Sequence, residues 1–404
     1  MVNDMGAPQQ SVSVTRCPSR FQFAIANRIE FLNPVHWDAV TAGASVFLSR
    51  NYLSATQDDF GSEVVRDFAL IYDGPQPVAA IATQSFDITG KQLVAAKSDG
   101  ENKFSAELKR KSLSMLKRRV CLCGNVHTWG MHGVAFAPDC DPSAIWPGVA
   151  DCLYRIRRAN RLHGQTDYVI IKDLFADQHA HAGSLASYRY KSFETEPNMV
   201  LTINPQWKTI DDYFVSLTKR YRAAAKKVFK PFDADGLSVS SLVNVAEHSD
   251  RVHALYHAVA SKADVCLFPL SSTTLPRIAE ALGDDFATIG IFEHDHLVGF
   301  VTVVRDGPTA IGYYIGIDYG ANARLPIYHR LLLAVIDQAI TWGCQNVSFG
   351  RTALDAKSRL GCQPEDTHVW VRHRVPLVNV FVQQVLKNVS HAEPPDRNPF
   401  KEAQ

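Results

Sequence analysis

Between Thr309 and Ile317 the chain reads TAIGYYIGI, an apolar run interrupted by two glycines. Gly312 and Gly316 would let a ligand come close to the backbone there. On a regular strand Tyr313 and Tyr314 point to opposite faces, so one can line a cleft while the other joins a core. Two packed aromatics on a central strand is the competing expectation. Asp318 ends the run and offers a carboxylate that could take a proton from an ammonium. His329 follows one turn into a helix, where an exposed position is expected. Arg222, Lys226 and Lys230 recur at i, i+4 and i+8, flanked by Lys219, Arg220 and Lys227. Such a stripe either holds phosphates or is the solvated face of a helix whose apolar side is buried. A second basic run, Lys109-Arg110-Lys111 with Lys117-Arg118-Arg119, reads as a surface loop. Cys121, Cys123, His127 and His132 invite a zinc reading, but Cys-x-Cys is too tight for common structural sites, and no metal is expected. His127 and Trp129 fit better at the end of a strand between two halves of the molecule, where an acceptor could bind. No Gly-x-Ser-x-Gly elbow, Walker loop or dinucleotide fingerprint occurs.

These residues need a scaffold, and 404 residues exceed one compact core. A hydrophobic fraction of 46% with 21% charged residues is that of a globular chain. With a net charge of +1, any basic site must be local rather than a global field. The eight cysteines follow no framework, which suggests reduced thiols. The first twenty residues contain no apolar signal core and no stretch reaches bilayer length, so a cytoplasmic protein without a membrane span is expected.

The pattern of elements repeats. Pro34 to Leu53 reads as helical, FALIY and VAAIAT as a hairpin around Asp73-Gly74-Pro75, VCLCGNVHTWG and GVAFA as strands, Trp146 to Leu162 as a helix and YVII as a strand. The second half runs from a helix opened at Asp211-Asp212, with a stripe from Tyr213 to Val228, through helices near 251–262 and 273–282. The hairpin FATIGIFE/LVGFVTVV, the strand at 309–317, a helix from Ile327 to Trp342, VSFGR and HVWVRH complete it. Helix, hairpin, strand, helix, strand occurs twice, with a seam expected near 195–208. A duplicated fold accounts for this order, and a single doubly wound sheet is the alternative.

Three stretches of the second half resemble the Fem-type branch of GNAT-like acyltransferases, including peptidoglycan-biosynthesis acetyltransferase-like proteins. They are Trp207, Tyr213, Arg220-Tyr221-Arg222 and Lys226-Lys227; the glycine-rich strand, loop and long helix from Gly312 to Gly343; and FGRTALDAKSRLG with Gly350, Lys357 and Gly361. The resemblance implies an α/β fold of tandem GNAT-like domains, each a mixed, partly antiparallel twisted sheet flanked by helices, divided as 1–200 and 201–404. It further implies N-acyl transfer in the second domain by direct attack of an amine on an acyl-CoA thioester, or on aminoacyl-tRNA. Under it, Asp318, Tyr314 and Lys357 carry the catalysis. Gly316, Gly320, Arg324, Arg351, Arg222 and Lys226 hold the donor, while His127, Trp129 and Tyr313 meet a small amine or peptide acceptor. The loop Asp318-Tyr319-Gly320-Ala321-Asn322-Ala323-Arg324 departs from the family's glycine-rich pyrophosphate turn. Oligomeric state is not expected from any of these features.

Overall fold

The computed structural model describes residues 20–89, 117–233, 236–263, 266–380 and 394–401. Its strands are β1 (Phe21–Ala26), β2 (Val64–Asp73), β3 (Gln76–Thr89), β4 (Lys117–Cys123), β5 (Val134–Phe136), β6 (Tyr168–Phe175) and β7 (Lys191–Thr202) in the first part. The second part contributes β8 (Leu237–Ser241), β9 (Phe286–Glu293), β10 (His296–Asp306), β11 (Thr309–Ile317), β12 (Asn346–Ser348) and β13 (Gln363–His373). The helices are α1 (Pro34–Thr41), α2 (Arg50–Thr56), α3 (Pro142–Ala159), α4 (Ala176–His181), α5 (Ile210–Ser216), α6 (Lys219–Phe229), α7 (Ser249–Ala260), α8 (Thr274–Leu282), α9 (Tyr319–Arg324), α10 (Ile327–Thr341) and α11 (Leu354–Ser358).

All thirteen strands join one mixed sheet in the order β1-β2-β3-β4-β6-β13-β7-β12-β11-β10-β9-β8, with β5 pairing β3 off this path. The two halves interlock at its centre. β13, last in the chain, sits between β6 and β7, and β7 in turn separates β13 from β12. Only β4–β6 and β11–β12 pair in parallel among these described ladders. A parallel pair needs a long crossover, and α3 and α10 supply one in each half. α10 is apolar on nearly every side, with Leu331, Leu333, Val335 and Ile336 buried, so it is packed into the core against the sheet.

Three expectations change. The single helix read across 211–228 is broken, because Leu217 is extended and bridges Phe400 while Thr218 N donates to Pro399 O at 2.9 Å. The C-terminal segment thus pins the break. The seam expected near 195–208 falls partly on β7, which runs unbroken through Pro197 and Asn198. Gly316 makes room for a helix rather than a ligand. A Cβ there would lie 2.2 Å from Phe300 and 2.7 Å from the Tyr256 nitrogen of α7. The basic run at 109–111 lies outside the described residues.

Candidate active site

The β11–β12 ladder contains Thr309↔Asn346, Ala310↔Val347 and Ile311↔Ser348, then stops. Beyond Ser348 the chain keeps to β7, which β12 already pairs on its other side. Phe349 N donates to Met199 O at 2.9 Å, Met199 N to Gly350 O at 3.1 Å, and Gly350 N to Asn198 Oδ1 at 3.1 Å. The described ladders give residues 312–317 no strand partner on that side. A cleft of about 740 Å³ opens there, walled by β11, the start of α10 and the 349–353 loop.

β11 is also bulged. Its pairing with β10 steps from Val301↔Ile315 to Val303↔Gly312, so Tyr313 and Tyr314 together oppose Thr302. Thr302 Oγ1 accepts from Tyr314 N at 2.9 Å. A bulge re-aims side chains, and here it cancels the alternation expected of this pair. Both tyrosines line the cleft, with ring centroids 4.5 Å apart. Each reaches the first half of the chain. The Tyr313 and Tyr52 hydroxyls lie 3.0 Å apart, and Tyr52 also accepts from Asn125 Nδ2 at 3.0 Å. Tyr314 donates to His127 O at 3.2 Å. Burial raises both tyrosine pKa values well above 10, so both stay protonated.

The far wall is held by buried charge. Lys357 is 4% exposed, and its Nζ donates to Phe349 O at 2.8 Å, Gly350 O at 3.1 Å and Arg351 O. An ammonium has three donors, and all three are engaged. Lys357 therefore shapes the loop and has no N–H left for an oxyanion or phosphate. The loop it grips is unusual, with Thr352 and Ala353 at φ of 65° and 48°, a region non-glycine residues rarely occupy. Arg351 is held through one nitrogen: its Nη2 pairs with Asp173 and lies 3.3 Å from the Thr195 and Thr367 hydroxyls, while its buried Nε has no hydrogen-bond partner. Asp173, 1% exposed, also pairs with Lys172 at 2.5 Å and accepts from Gly130 N at 3.3 Å. This cluster ties β6 to the cleft wall.

Several other residues singled out in the sequence have structural roles. Asp318 is the N-cap of α9, accepting from Gly320 N and Ala321 N at 3.0 and 3.1 Å, and pairs with Arg251 at 3.1 Å. The Ala321 amide, and then Arg251, hold its pKa below the ordinary carboxylate value, which makes it a weak base. The Gly320 amide is thereby occupied. Arg324 points to Glu293 with two contacts of 2.9 Å. Arg222 and Lys226 sit on α6, outside the cleft lining, and Lys226 is solvent-exposed. The His127 ring is buried with Nε2 3.0 Å from Phe268 O, and burial pushes its pKa down to about 4. Only its carbonyl reaches the cleft tyrosines. The His132 ring is engaged separately with Thr128 Oγ1 at 2.7 Å.

Trp129 does line the cleft. Its Nε1 donates to Ser348 Oγ at 2.9 Å, and its ring covers Gly350, where a Cβ would lie 2.8 Å from it. His329 is exposed, as expected, and borders the cleft as well. Desolvation, and then the charge of Arg359, lower its pKa, so its ring is neutral at pH 7. At the start of α10 the Ile327 amide is taken by Leu325 O and the Tyr328 amide by Asn322 Oδ1 at 3.0 Å. The helix end that would cradle a pyrophosphate is thus partly capped from within.

No family model matches the sequence, and no curated protein does. Solved structures do. FemX aligns at a TM-score of 0.56 with 10% identity, over 88% of this chain and 99% of its own. A tandem GNAT protein from the clavulanic acid biosynthesis pathway aligns at 0.48 with 11% identity, over 88% and 99%. L-PGS from Bacillus licheniformis aligns at 0.42 with 11% identity, over 76% and 86%. The likeness to FemX along nearly the whole length gives this chain a FemX-like fold.

Proposed function

We propose that the protein is an N-acyltransferase whose reaction takes place in the cleft beside β11, with residues 201–404 as the catalytic unit and 1–200 as its partner. The parting of β11 from β12 over that cleft is the observation that carries this reading. A carbonyl can be held against an unpaired strand edge while a nitrogen attacks it. The amine nitrogen bonds to the acyl carbon, the carbon–sulfur bond of a CoA-type thioester breaks, and the sulfur leaves as thiolate. His329 takes one proton from the acceptor's ammonium so that the free amine attacks, a role first assigned to Asp318, and the extra proton left on the nitrogen after attack passes to the departing thiolate. Tyr313, Tyr314 and Trp129 would wall the acceptor, a small amine or peptide, without an enzyme nucleophile.

Aminoacyl-tRNA is the second donor, and one observation favours it. The first amides of α10 are already accepted by Leu325 and Asn322, which leaves a CoA pyrophosphate fewer donors there. Supplying an acyl-CoA panel and charged tRNA separately, with an amine panel and mass detection of product, separates the two. Activity with neither would sink the transferase reading.

Two substitutions test the base. His329→Gln should lower kcat roughly 100-fold, within the range of general-base loss. The wild-type rate should show an acid limb at a pKa below the usual ~6.5 of histidine, and that limb should vanish in the variant. An unchanged limb would reject His329. Asp318→Asn should keep turnover within about threefold while costing up to ~1 kcal/mol of stability through the weakened cap and ion pair. A large kcat loss at unchanged stability would restore Asp318 as the base.

A further inference from the structure

At the opposite end of β6 from the cleft, α3 presents Tyr154, Arg157 and Arg158 at i, i+3 and i+4 on one face, and the 3-10 turn Asn160–His163 that follows it carries Arg161. Arg374, just beyond β13, joins them around an open cavity of about 410 Å³. The charge there is not balanced. Arg374 is paired with Asp167 at 2.8 Å, and among the described residues no carboxylate pairs with Arg157, Arg158 or Arg161. Arg157 and Arg158 crowd over one ring, with guanidinium carbons 5.1 and 5.8 Å from the centroid of Tyr154. Burial, and then the like charge of Arg372, work against ionisation of Arg157. The cavity floor adds a second signal. Thr166 is 3% exposed, lines this cavity, and its hydroxyl has no hydrogen-bond partner.

Arginines near a helix C-terminus favour the helix dipole. That effect accounts for one or two of them, screened at the surface. It does not account for four guanidiniums converging with an orphaned buried hydroxyl in a chain whose net charge is only +1. Removing an anion from water costs little where several fixed cations replace its hydration, and arginine forks match phosphate oxygens two at a time. Three uncompensated charges suit a multiply charged anion better than a single carboxylate.

We propose that this arginine cavity binds a phosphate-bearing ligand carrying at least two negative charges, with Thr166 completing the contact. The site is separate from the acyl-transfer cleft. Tyr168 and Asp173 are five residue steps apart on β6, about 17 Å of strand, so a small ligand cannot occupy both. The proposal therefore stands or falls independently of the transferase reading.

The test uses the whole protein with inorganic pyrophosphate, a nucleoside diphosphate and a short single-stranded RNA, each titrated in phosphate-free buffer by calorimetry and thermal shift. Pyrophosphate should bind and raise Tm, with affinity falling steeply between 50 and 200 mM salt. Arg157→Ser combined with Arg161→Ser should weaken binding at least tenfold while leaving the Tm of the free protein unchanged or higher, because like charges are relieved. Thr166→Val should weaken binding severalfold. RNA that displaces bound pyrophosphate would assign the site to a phosphodiester chain, and a nucleoside diphosphate binding where RNA does not would assign it to a small phosphorylated molecule. No binding by any of the three, or binding unchanged in the double variant, overturns the proposal.

Discussion

Replacing Asp173 with asparagine should destabilise the protein by about 3–5 kcal/mol, the cost of breaking a buried ion pair from one side. The substitution keeps the side-chain shape and suits the local backbone. Asp173 lies at φ 56°, a conformation that asparagine and aspartate adopt more readily than other residues. What it removes is the negative charge between Lys172 and Arg351. Both cations would remain in a site too enclosed for water to replace the carboxylate. Burial works to raise the pKa of Asp173, yet Lys172 and Arg351 outweigh it and hold the pKa below the ordinary value. Its contribution is thus fully present above the unfolded pKa of about 4 and is lost as pH falls through the lower folded value. Denaturant unfolding should show the wild type losing its advantage over Asp173→Asn in that acid window. Adding Lys172→Met to Asp173→Asn should recover part of the loss, since one orphaned cation is gone. An Asp173→Asn protein with the wild-type midpoint at pH 7 would show that the cluster carries no net stability. Turnover should fall as well, because Arg351 belongs to the cleft wall.

How far the sequence could foresee this site depends on what each signal rests on. The hairpins 64–89 and 286–306, the long helix after β11 and the strand at 309–317 were legible because periodicity and turn residues are local. The repeated order of elements pointed to a duplicated fold, but no local signal could reveal that β13 would insert between β6 and β7. Exchange of terminal strands is a long-range choice, invisible in any window. The site residues divide in the same way. Trp129 and Tyr314, singled out as aromatics, do border the cleft. Asp318 misled because its position at a strand end, attractive for a base, is also an N-cap position. Tyr313 and Tyr314 were assigned to opposite faces by regular alternation, and a one-residue bulge opposite Thr302 reversed that. Asp173 was not singled out, because its pairing with Arg351 comes from a partner far away in the chain, and His329, exposed as expected, meets the cleft only through the fold.

Lys357→Met should be the most damaging single change in the cleft. Methionine matches the length of the stem and fills the same space, so the loss is the ammonium alone. Three carbonyls, those of Phe349, Gly350 and Arg351, would lose the donor they share. Leaving one buried acceptor unpaired costs ~1–3 kcal/mol, and with partial relaxation the total should reach about 3–5 kcal/mol. This grip helps to hold the left-handed Thr352 and Ala353 against relaxing to common backbone conformations. A shift of ~1 Å in that wall should reduce turnover at least ~100-fold. A catalytic lysine would behave differently: turnover would vanish while the unfolding midpoint stayed put, so measuring both decides between the roles. The pH dependence sharpens the comparison. Burial lowers the pKa of Lys357 to about 8, whereas the unfolded chain holds that proton to about 10.4. Between those values the unfolded state binds more protons, so this group favours folding more strongly as pH rises. The neutral amine, however, has two N–H groups for three carbonyls. Turnover should therefore decline above pH 8 with no matching loss of stability from this residue, a divergence that a lysine acting directly on substrate phosphate has no reason to produce.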